Sequence, residues 1–157
     1  MDCFTHYDAP FGEICLISDG TALTGLWMPT KNFDTTGLEP RDDLPIFVQV
    51  KSWLDGYFRG TPGEIDFPLA PEGTPFQHRV WQILGSIPYG KTNTYGAIAK
   101  ELGANMSAQA VGQAVGRNPI SIIVPCHRVV GSKGQLTGYA GGLPIKKWLL
   151  AHEEETK

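Results

Sequence analysis

The 157-residue sequence has no apolar run near the ~20 residues that a membrane-spanning helix needs, and its start lacks a basic segment followed by an apolar one. It contains only three cysteines, whose spacing shows no pairing, which argues against a disulfide framework. The composition, 41% hydrophobic and 18% charged, is typical of a globular protein. We therefore expect a cytoplasmic protein with reduced thiols and no membrane partner.

The sequence also lacks a compact set of metal ligands. Cys3, His6 and Cys15 are the candidates in the first half, but their spacing fits no zinc pattern, and Cys15 belongs to an alternating, strand-like segment. There is no internal repeat and no low-complexity tract. We predict no metal site and no cofactor.

Positive charge is scarce in the first half of the chain. Residues 1–74 hold four Lys or Arg against twelve acidic residues, a net charge of −8, whereas residues 75–157 hold nine against four, a net charge of +5. This asymmetry indicates a polyanion-facing second half beside an acidic first half, although solvated surface charge could produce the same division by chance.

Hydrophobic alternation and turn residues predict strands in the first half. Residues 13–18 and 23–27 should form a hairpin about the Asp19-Gly20-Thr21 turn, with residues 4–7 as an edge strand. Helical spacing of apolar residues predicts a helix over residues 46–58 that Gly60 stops. The remaining expectations are a loop over 29–45, a short strand over 65–67 and a linker over 68–75.

Cap signals predict helices in the second half. Thr74 can cap a helix that begins at Pro75, Thr94 one over residues 95–102, and Ser107 one over residues 108–117. The last two, joined by a glycine-containing turn, form a helix-turn-helix pattern. Residues 129–137 should form a β-wing, and residues 143–153 a closing amphipathic helix.

The predicted helix over residues 108–117 has few long polar side chains. Gln109, Gly112, Gln113 and Gly116 share one face, and each interior glycine costs ~1 kcal/mol relative to alanine. Such glycines allow either tight packing on a neighbouring helix or close approach of a DNA groove. If DNA is the partner, the minor groove suits this face better than the major groove.

Residues 125–130, PCHRVV, place a thiol, an imidazole and a guanidinium side by side. A free Cys titrates near ~8.5 and reacts as the thiolate, so a neighbouring base or positive charge would activate Cys126. The alternative is an inert, buried cysteine at the end of a strand. The adjacent His127 and Arg128 favour the reactive thiol.

With these residues, the chain resembles the O6-alkylguanine-DNA alkyltransferases, also called methylated-DNA–protein-cysteine methyltransferases. The matching segments, in the family's order and spacing, are GTPFQ (73–77), IPYG (87–90), TYG (94–96), AVG (110–112), RNPI (117–120), PCHRVV (125–130), GYAGG (138–142) and KKWLLAHE (146–153). Residues 1–72 match only in outline. The resemblance implies an α+β fold, with a small N-terminal α/β domain over residues 1–72 that carries an antiparallel, ribonuclease-H-like sheet, and a C-terminal winged helix-turn-helix domain over residues 73–157.

The resemblance also implies roles for five residues. Cys126 accepts the alkyl group, His127 acts as its base through a bridging water, and Glu153 orients the imidazole. Extended backbone at residues 126 and 127 would point their side chains apart and leave room for that water. Asn118 steadies the turn before the active-site loop, and the Tyr95 hydroxyl helps rotate the nucleotide and protonates guanine N3.

Further positions carried over from the resemblance would contact the DNA. The expected binding residues for the extruded base are Tyr95, Val129, Ala140, Gly141 and Lys146. The expected DNA-binding residues are Thr94, Gln109, Ala110, Gly112, Gln113, Gly116 and Arg117. Two positions keep alternatives: Glu153 could belong to a solvated acidic tail with Glu154 and Glu155, and Arg128 could touch phosphate, although we favour a structural ion pair.

The implied function is irreversible transfer of an alkyl group from O6 of guanine, and also from O4 of thymine, in duplex DNA to Cys126. The lesion must leave the base stack to be reached, and a thioether does not hydrolyse, so each molecule acts once. We expect a monomer and leave open cooperative binding to DNA. One position departs from the family, which usually has arginine where this chain has Gln109; we predict weaker base flipping or DNA affinity, unless Arg117 supplies the charge.

Two other functions fit parts of the sequence. A lesion-sensing DNA-binding protein would do no transfer, and in such relatives of the family the acceptor cysteine is replaced, whereas Cys126 is present here. A winged-helix transcriptional regulator would need neither the Cys126-His127 pair nor Gly141-Gly142.

Overall fold

The computed structural model describes residues 2–30, 33–103, 105–139 and 141–157. The first half is built on a four-stranded sheet in the order β3-β2-β1-β4. Its strands are β1 (Cys3–Ala9), β2 (Gly12–Ser18), β3 (Leu23–Trp27) and β4 (Glu39–Pro40). The pairs β1–β2 and β2–β3 are antiparallel, while the two-residue β4 runs parallel to β1.

The predicted hairpin of β2 and β3 is confirmed, and its turn has a local cause. The Asp19 carboxylate accepts hydrogen bonds from the backbone N–H groups of Thr21 and Ala22, both at 2.9 Å, which closes the reversal between the strands. The strand predicted over residues 4–7 is confirmed as part of β1, but its predicted place at the edge of the sheet is wrong, because β4 pairs with Cys3 and Phe4 on the far side of β1. Such a pairing joins distant segments, and a Glu-Pro strand carries no local β signal.

Helix α1 (Pro45–Phe58) confirms the predicted helix. It buries Phe47, Val50, Leu54 and Tyr57, and the chain leaves it through Gly60 at φ +86°, where a side chain would be strained. The short strand predicted over residues 65–67 is wrong. The chain instead forms an isolated bridge between Leu69 and Leu23, further along than predicted.

The second half contains α2 (Pro75–Gly85), α3 (Tyr95–Leu102), α4 (Ala108–Gly116) and α5 (Leu143–Thr156). The predicted caps are confirmed: the hydroxyls of Thr74, Thr94 and Ser107 each accept a backbone N–H of the first turn. Thr74 also forms a reciprocal capping box with Gln77. Helix α4 ends one residue earlier than predicted, and α5 continues three residues beyond Glu153.

The β-wing expected over residues 129–137 is only partly formed. Strand β6 (Val129–Val130) exists, but it pairs in parallel with β5 (Asn93–Thr94), the two residues that precede α3. The following residues form turns, with the Gly131 N–H donating to the Gln135 carbonyl at 2.9 Å. Pairing with β5 therefore ties the reactive segment to the start of α3 instead of to its own hairpin.

One hydrophobic core joins the two halves. Leu26 of β3 lies at the join: its N–H donates to the Pro119 carbonyl at 2.8 Å, and it bridges Ile120. The end of the sheet thus supports the segment that leads from α4 to Cys126. No helix within the described ranges is long and apolar enough to cross a membrane.

Candidate active site

Cys126 begins a single-turn 3-10 helix, Cys126–Arg128, that follows a stretch of turns. Its side chain is buried, and burial raises the pKa of the thiol, whereas hydrogen bonds from Asn118 and Ser121 and the charge of Lys146 act in the opposite direction. Cys126 belongs to the hydrophobic core, and the polar groups that act on its thiol are Asn118, Ser121 and Lys146. The resting group is a protonated thiol that needs a base.

Asn118 fixes the path of the chain into this site. Its side-chain N–H group donates to the carbonyl of Val124 at 2.8 Å, while its side-chain oxygen accepts the N–H of Ile120 at 3.0 Å. Between these contacts Ile122 adopts φ +70°, which is strained for a β-branched residue. Buried hydrogen bonds of the Asn118 side chain, one donated and one accepted, hold this turn in place.

His127 is completely buried beside Glu153, with the imidazole Nε2 2.5 Å from the Glu153 Oε2 atom. A carboxylate accepts hydrogen bonds, so Nε2 carries the proton and Nδ1 is left as the basic atom. Nδ1 is buried without a hydrogen-bond partner. Burial lowers the pKa of His127, with the charges of Arg128 and Lys146 acting in the same direction and Glu153 opposing them. The ring is therefore neutral and basic at neutral pH.

The extended backbone expected at residues 126 and 127 is wrong, because both residues lie in the 3-10 turn. The His127 Nδ1 atom nevertheless forms no hydrogen bond with the Cys126 thiol. A short helical turn points consecutive side chains in different directions, so the separation has a different geometric cause from the one expected.

The carboxylate of Glu153 is the centre of the buried network. Its side chain is 1% exposed, so the solvated-tail alternative is wrong, while Glu154 and Glu155 are exposed. Arg128 donates from Nε to Oε1 at 2.7 Å and from Nη2 to Oε2 at 3.2 Å, which makes it the favoured structural ion pair. The Gly90 N–H adds a bond to Oε1.

Burial alone would raise the pKa of Glu153. Hydrogen bonds from His127, Arg128 and Tyr57 outweigh burial and lower the pKa to about 2. The group is therefore a carboxylate throughout the physiological range. It holds the imidazole in one tautomer, as the third member of a nucleophile–base–acid series does.

Lys146 and Tyr95 share the Thr137 carbonyl as a hydrogen-bond acceptor. The Lys146 Nζ atom is buried and donates to the carbonyls of Val129 at 2.6 Å and Thr137 at 3.0 Å, and it lies 5.9 Å from the centre of the Tyr95 ring. The Tyr95 hydroxyl donates to the same Thr137 carbonyl at 3.4 Å. The Val129 N–H donates to the Cys126 carbonyl, which closes the 3-10 turn.

The loop that precedes α5 is held by the first half of the chain. Thr30 donates its hydroxyl to the Gly141 carbonyl at 3.0 Å, and a Cβ added at Gly141 would come within 2.8 Å of Met28. Ala140, also expected in the base-binding set, lies outside the described residues. The buried Tyr139 hydroxyl has no hydrogen-bond partner, and burial together with the nearby Cys126 raises the pKa of Tyr139.

The expected DNA-binding residues share the outer surface of α4 and its flanks. Gln109, Gln113, Gly116 and Arg117 are exposed, and Ala110, Gly112 and the capping residue Thr94 are half-buried. Six of the seven, all except Thr94, lie on α4 or at its C-terminal end.

The glycines of α4 are not explained by tight helix packing. A Cβ at Gly116 would meet nothing within 4 Å, and one at Gly112 would make only ordinary contact with Tyr95 at 3.7 Å. Of the two interpretations of this helix, the one that keeps the surface free for a ligand therefore agrees with the structure.

Sequence reasoning missed Tyr57, Ser121 and the Gly90 N–H. Tyr57 donates to Glu153 Oε2 at 2.6 Å across 96 positions of sequence, and no local pattern marks it except a place on the apolar face of α1. Within the part of the chain that the structure describes, no three His, Cys, Asp or Glu side chains gather as a metal site would require.

Comparison with known proteins gives consistent matches over both halves. A family model described as 6-O-methylguanine DNA methyltransferase, DNA binding domain, matches residues 75–155, and one described as 6-O-methylguanine DNA methyltransferase, ribonuclease-like domain, matches residues 3–71. A methylated-DNA–protein-cysteine methyltransferase of Mycobacterium tuberculosis (strain ATCC 25618 / H37Rv) is 45% identical over 152 residues, which are 95% of this chain and 92% of that protein.

Two solved structures have the same fold. The crystal structure of Mycobacterium tuberculosis O6-methylguanine methyltransferase superposes with a TM-score of 0.90 at 43% identity and covers 100% of this chain and 95% of that one. The structure of Mycobacterium tuberculosis OGT in complex with DNA superposes with a TM-score of 0.89 at 44% identity, covering 98% and 93%.

Proposed function

Because the chain belongs to the 6-O-methylguanine DNA methyltransferase family, we propose that it repairs DNA by transferring the alkyl group from O6 of guanine to the sulfur of Cys126. We assign it the activity of its relatives, methylated-DNA–protein-cysteine methyltransferase. The observation that carries the assignment to these residues is the buried His127–Glu153 pair, which leaves a basic, unpartnered Nδ1 beside a protonated thiol.

The first step is removal of the thiol proton. Nδ1 and Sγ share no hydrogen bond, so the proton passes through one bridging water, with Nδ1 as the final acceptor. His127 then carries a positive charge, which the Glu153 carboxylate stabilises at 2.5 Å. Lys146 and the hydrogen bonds from Asn118 and Ser121 stabilise the thiolate that remains.

The second step transfers the alkyl group. The thiolate attacks the alkyl carbon, the S–C bond forms as the C–O6 bond breaks, and the bonding electron pair moves into the guanine ring. The Tyr95 hydroxyl, fixed by the Thr137 carbonyl, donates a proton to guanine N3, and solvent returns one to Tyr95. His127 releases its proton to solvent. The products are neutral guanine and a Cys126 thioether.

The substrate base reaches this site by leaving the duplex. The alkylated oxygen is inaccessible to sulfur in stacked DNA, so extrusion must precede transfer, at a cost of a few kcal/mol. Helix α4 offers glycines and short side chains, which suit close approach to the minor groove, and the positive charge of the second half favours phosphate contact. Backbone groups of Cys126 and Val129 would then contact the extruded base, as the resemblance implies.

A thioether is not removed by hydrolysis, and Cys3 and Cys15 lie on strands of the sheet, so each molecule acts once. The proposal includes O4-alkylthymine as a second substrate, action as a monomer in the cytoplasm, and a division of labour between an N-terminal domain over residues 1–72 and an acceptor domain over residues 73–157.

The test counts repaired bases per protein molecule. Duplex DNA with one O6-methylguanine is mixed with increasing protein, and the remaining O6-methylguanine is measured by nucleoside chromatography. We expect loss of one lesion per protein molecule and no further loss with time. Continued turnover would contradict single use, and unchanged lesions with intact DNA binding would indicate a lesion-sensing binder.

A further inference from the structure

A tyrosine of the first half reaches the buried carboxylate of the second half. Tyr57 lies in the last turn of α1, its side chain is completely buried, and its hydroxyl donates to Glu153 Oε2 at 2.6 Å. The same oxygen receives the imidazole Nε2 of His127 at 2.5 Å. One carboxylate oxygen is therefore shared between the base and a hydroxyl supplied from the other half of the protein.

We propose that Tyr57 is a positioning residue for alkyl transfer, which acts through Glu153 on the tautomer and basicity of His127. This inference rests on the proposed function and deepens it. The fold around the sheet would then supply one member of the relay, in addition to packing against the second half.

The geometry explains what the hydroxyl adds. Arg128 binds both carboxylate oxygens from one side, through Nε and Nη2, and the Gly90 N–H binds Oε1. Tyr57 is the neutral donor on Oε2, and without it the carboxylate is free to tilt towards Arg128 and away from the imidazole. A tilt would misalign the imidazole that this oxygen orients and so slow removal of the thiol proton.

The hydroxyl also disperses the negative charge that faces His127. Charged or titratable groups near the relay are Arg128 and Cys126 from the 3-10 turn, Lys146 and His152 from α5, Tyr139 from the loop before α5, and Tyr89 from the turn before β5. Of these, Arg128 also donates to Oε2, but at the longer distance of 3.2 Å, so it does not replace the 2.6 Å bond from Tyr57. Loss of that donor concentrates negative charge on Oε2 and should raise the pKa of the imidazole.

Packing alone does not require the oxygen atom. The Tyr57 ring contacts the rings of Trp53, Phe58, Tyr89 and His152 with centroids 5.2–5.8 Å apart, and phenylalanine would keep these contacts. Burial of a hydroxyl needs a hydrogen-bond partner, and here that partner is the one group that orients the base.

The experiment compares Tyr57→Phe with Tyr89→Phe. Tyr89 belongs to the same ring cluster, but its hydroxyl bonds Thr156 and not Glu153. Single-turnover transfer from O6-methylguanine DNA is measured at saturating DNA over pH 5 to 9, and each rate is divided by the active fraction found from the total number of lesions repaired. Any loss of folded protein is thereby removed from the comparison.

For Tyr57→Phe we expect a transfer rate about tenfold lower per active molecule, which is a part of the ~10²–10⁴-fold that a positioned base contributes. We also expect the acid limb of the pH–rate profile to move upwards by about half a pH unit. Tyr89→Phe should match the wild type in both. A Tyr57→Phe protein whose rate and acid limb equal those of Tyr89→Phe would overturn the proposal.

A second variant shows whether Tyr57 acts through the carboxylate. In a Glu153→Gln background, Tyr57→Phe should cause no further loss of rate, because the two changes interrupt one connection. An equal fold-loss in both backgrounds would mean that the hydroxyl acts by packing, and would overturn the inference while transfer by the wild type still supports the proposed function. Failure of the wild type to transfer would refute the proposed function itself.

Discussion

The relay around Glu153, which includes Tyr57 from the first half of the chain, and the outer surface of α4 are built in opposite ways. Each relay group is buried and held by several bonds: Glu153 accepts from His127, Arg128, Tyr57 and Gly90. The surface of α4 exposes Gln109, Gln113 and Gly116, and side chains added at its glycines would meet little. The relay thus has a fixed geometry, whereas the α4 surface is open to a ligand. Changes in the relay should therefore affect the rate and stability, and changes on α4 should affect affinity.

The largest expected effect comes from removal of the base. His127→Gln retains a side-chain N–H for Glu153 but has no basic nitrogen, so transfer should slow by ~10²–10⁴-fold. Affinity for duplex DNA, measured by fluorescence anisotropy, should stay within twofold of the wild type. Transfer by His127→Gln at the wild-type rate would contradict the assignment of His127 as the base.

The next effect concerns the charge on Glu153. Glu153→Gln leaves the buried Arg128 guanidinium without its anion, and we expect a loss of ~3–5 kcal/mol in the free energy of unfolding at pH 7, measured by urea denaturation. As a control, Glu154→Gln alters an exposed carboxylate and should change little.

The stability difference between the wild type and Glu153→Gln should depend on pH. The pKa of Glu153 is about 2 in the folded state and 4.5 without the fold, so the carboxylate's stabilisation is complete above pH 4.5 and is lost as the pH falls towards 2. The difference in unfolding free energy between wild type and Glu153→Gln should therefore narrow across this window. A constant difference would show that the Glu153 charge is not what stabilises the fold.

A smaller effect is expected on α4. Gln109→Arg restores the charge that the family usually has and should raise DNA affinity and repair rate several-fold, with a salt dependence steeper by about one phosphate contact. Gln113→Arg, on the same exposed surface, controls for charge alone and should steepen the salt dependence without the gain in rate. Unchanged affinity and rate in Gln109→Arg would reject the idea that glutamine limits base flipping.

The smallest effect is a test of the helix start. Ser107→Ala removes the hydroxyl that accepts the Ala110 N–H and should lower stability by ~1 kcal/mol, with transfer at saturating DNA unchanged. Thermal unfolding followed by circular dichroism measures the loss. A fall in rate at saturating DNA would mean that α4 also helps to position the relay.

The sequence predicted the features whose causes are local. The three helix caps and the β2–β3 hairpin depend on neighbouring residues, and the structure confirms them. The predictions that were wrong involve strand pairing between distant segments. These are the pairing of β4 with β1, the pairing of β6 with β5 instead of with residues 136–137, and the bridge at Leu69. In each failure, the pairing partner lies far away in sequence and carries little local β signal.

The candidate site divides in the same way. The PCHRVV segment and the resemblance named Cys126, His127, Asn118 and Glu153, which the structure brings together in one buried network or beside it. Tyr57 could not be predicted, because a buried tyrosine on the apolar face of a helix has the same pattern whether its hydroxyl is idle or bonded. Only the packing of α1 against α5 reveals the difference.

The central claim is that one of three buried cysteines has the surroundings of an alkyl acceptor. It is tested most directly by peptide mapping after the wild-type protein reacts with equimolar O6-methylguanine duplex. We predict one added CH2 unit, entirely on the peptide that contains Cys126, with Cys3 and Cys15 unmodified and no addition in Cys126→Ala. A methyl group on Cys3 or Cys15, or an unmodified protein after complete binding of the DNA, would contradict the claim.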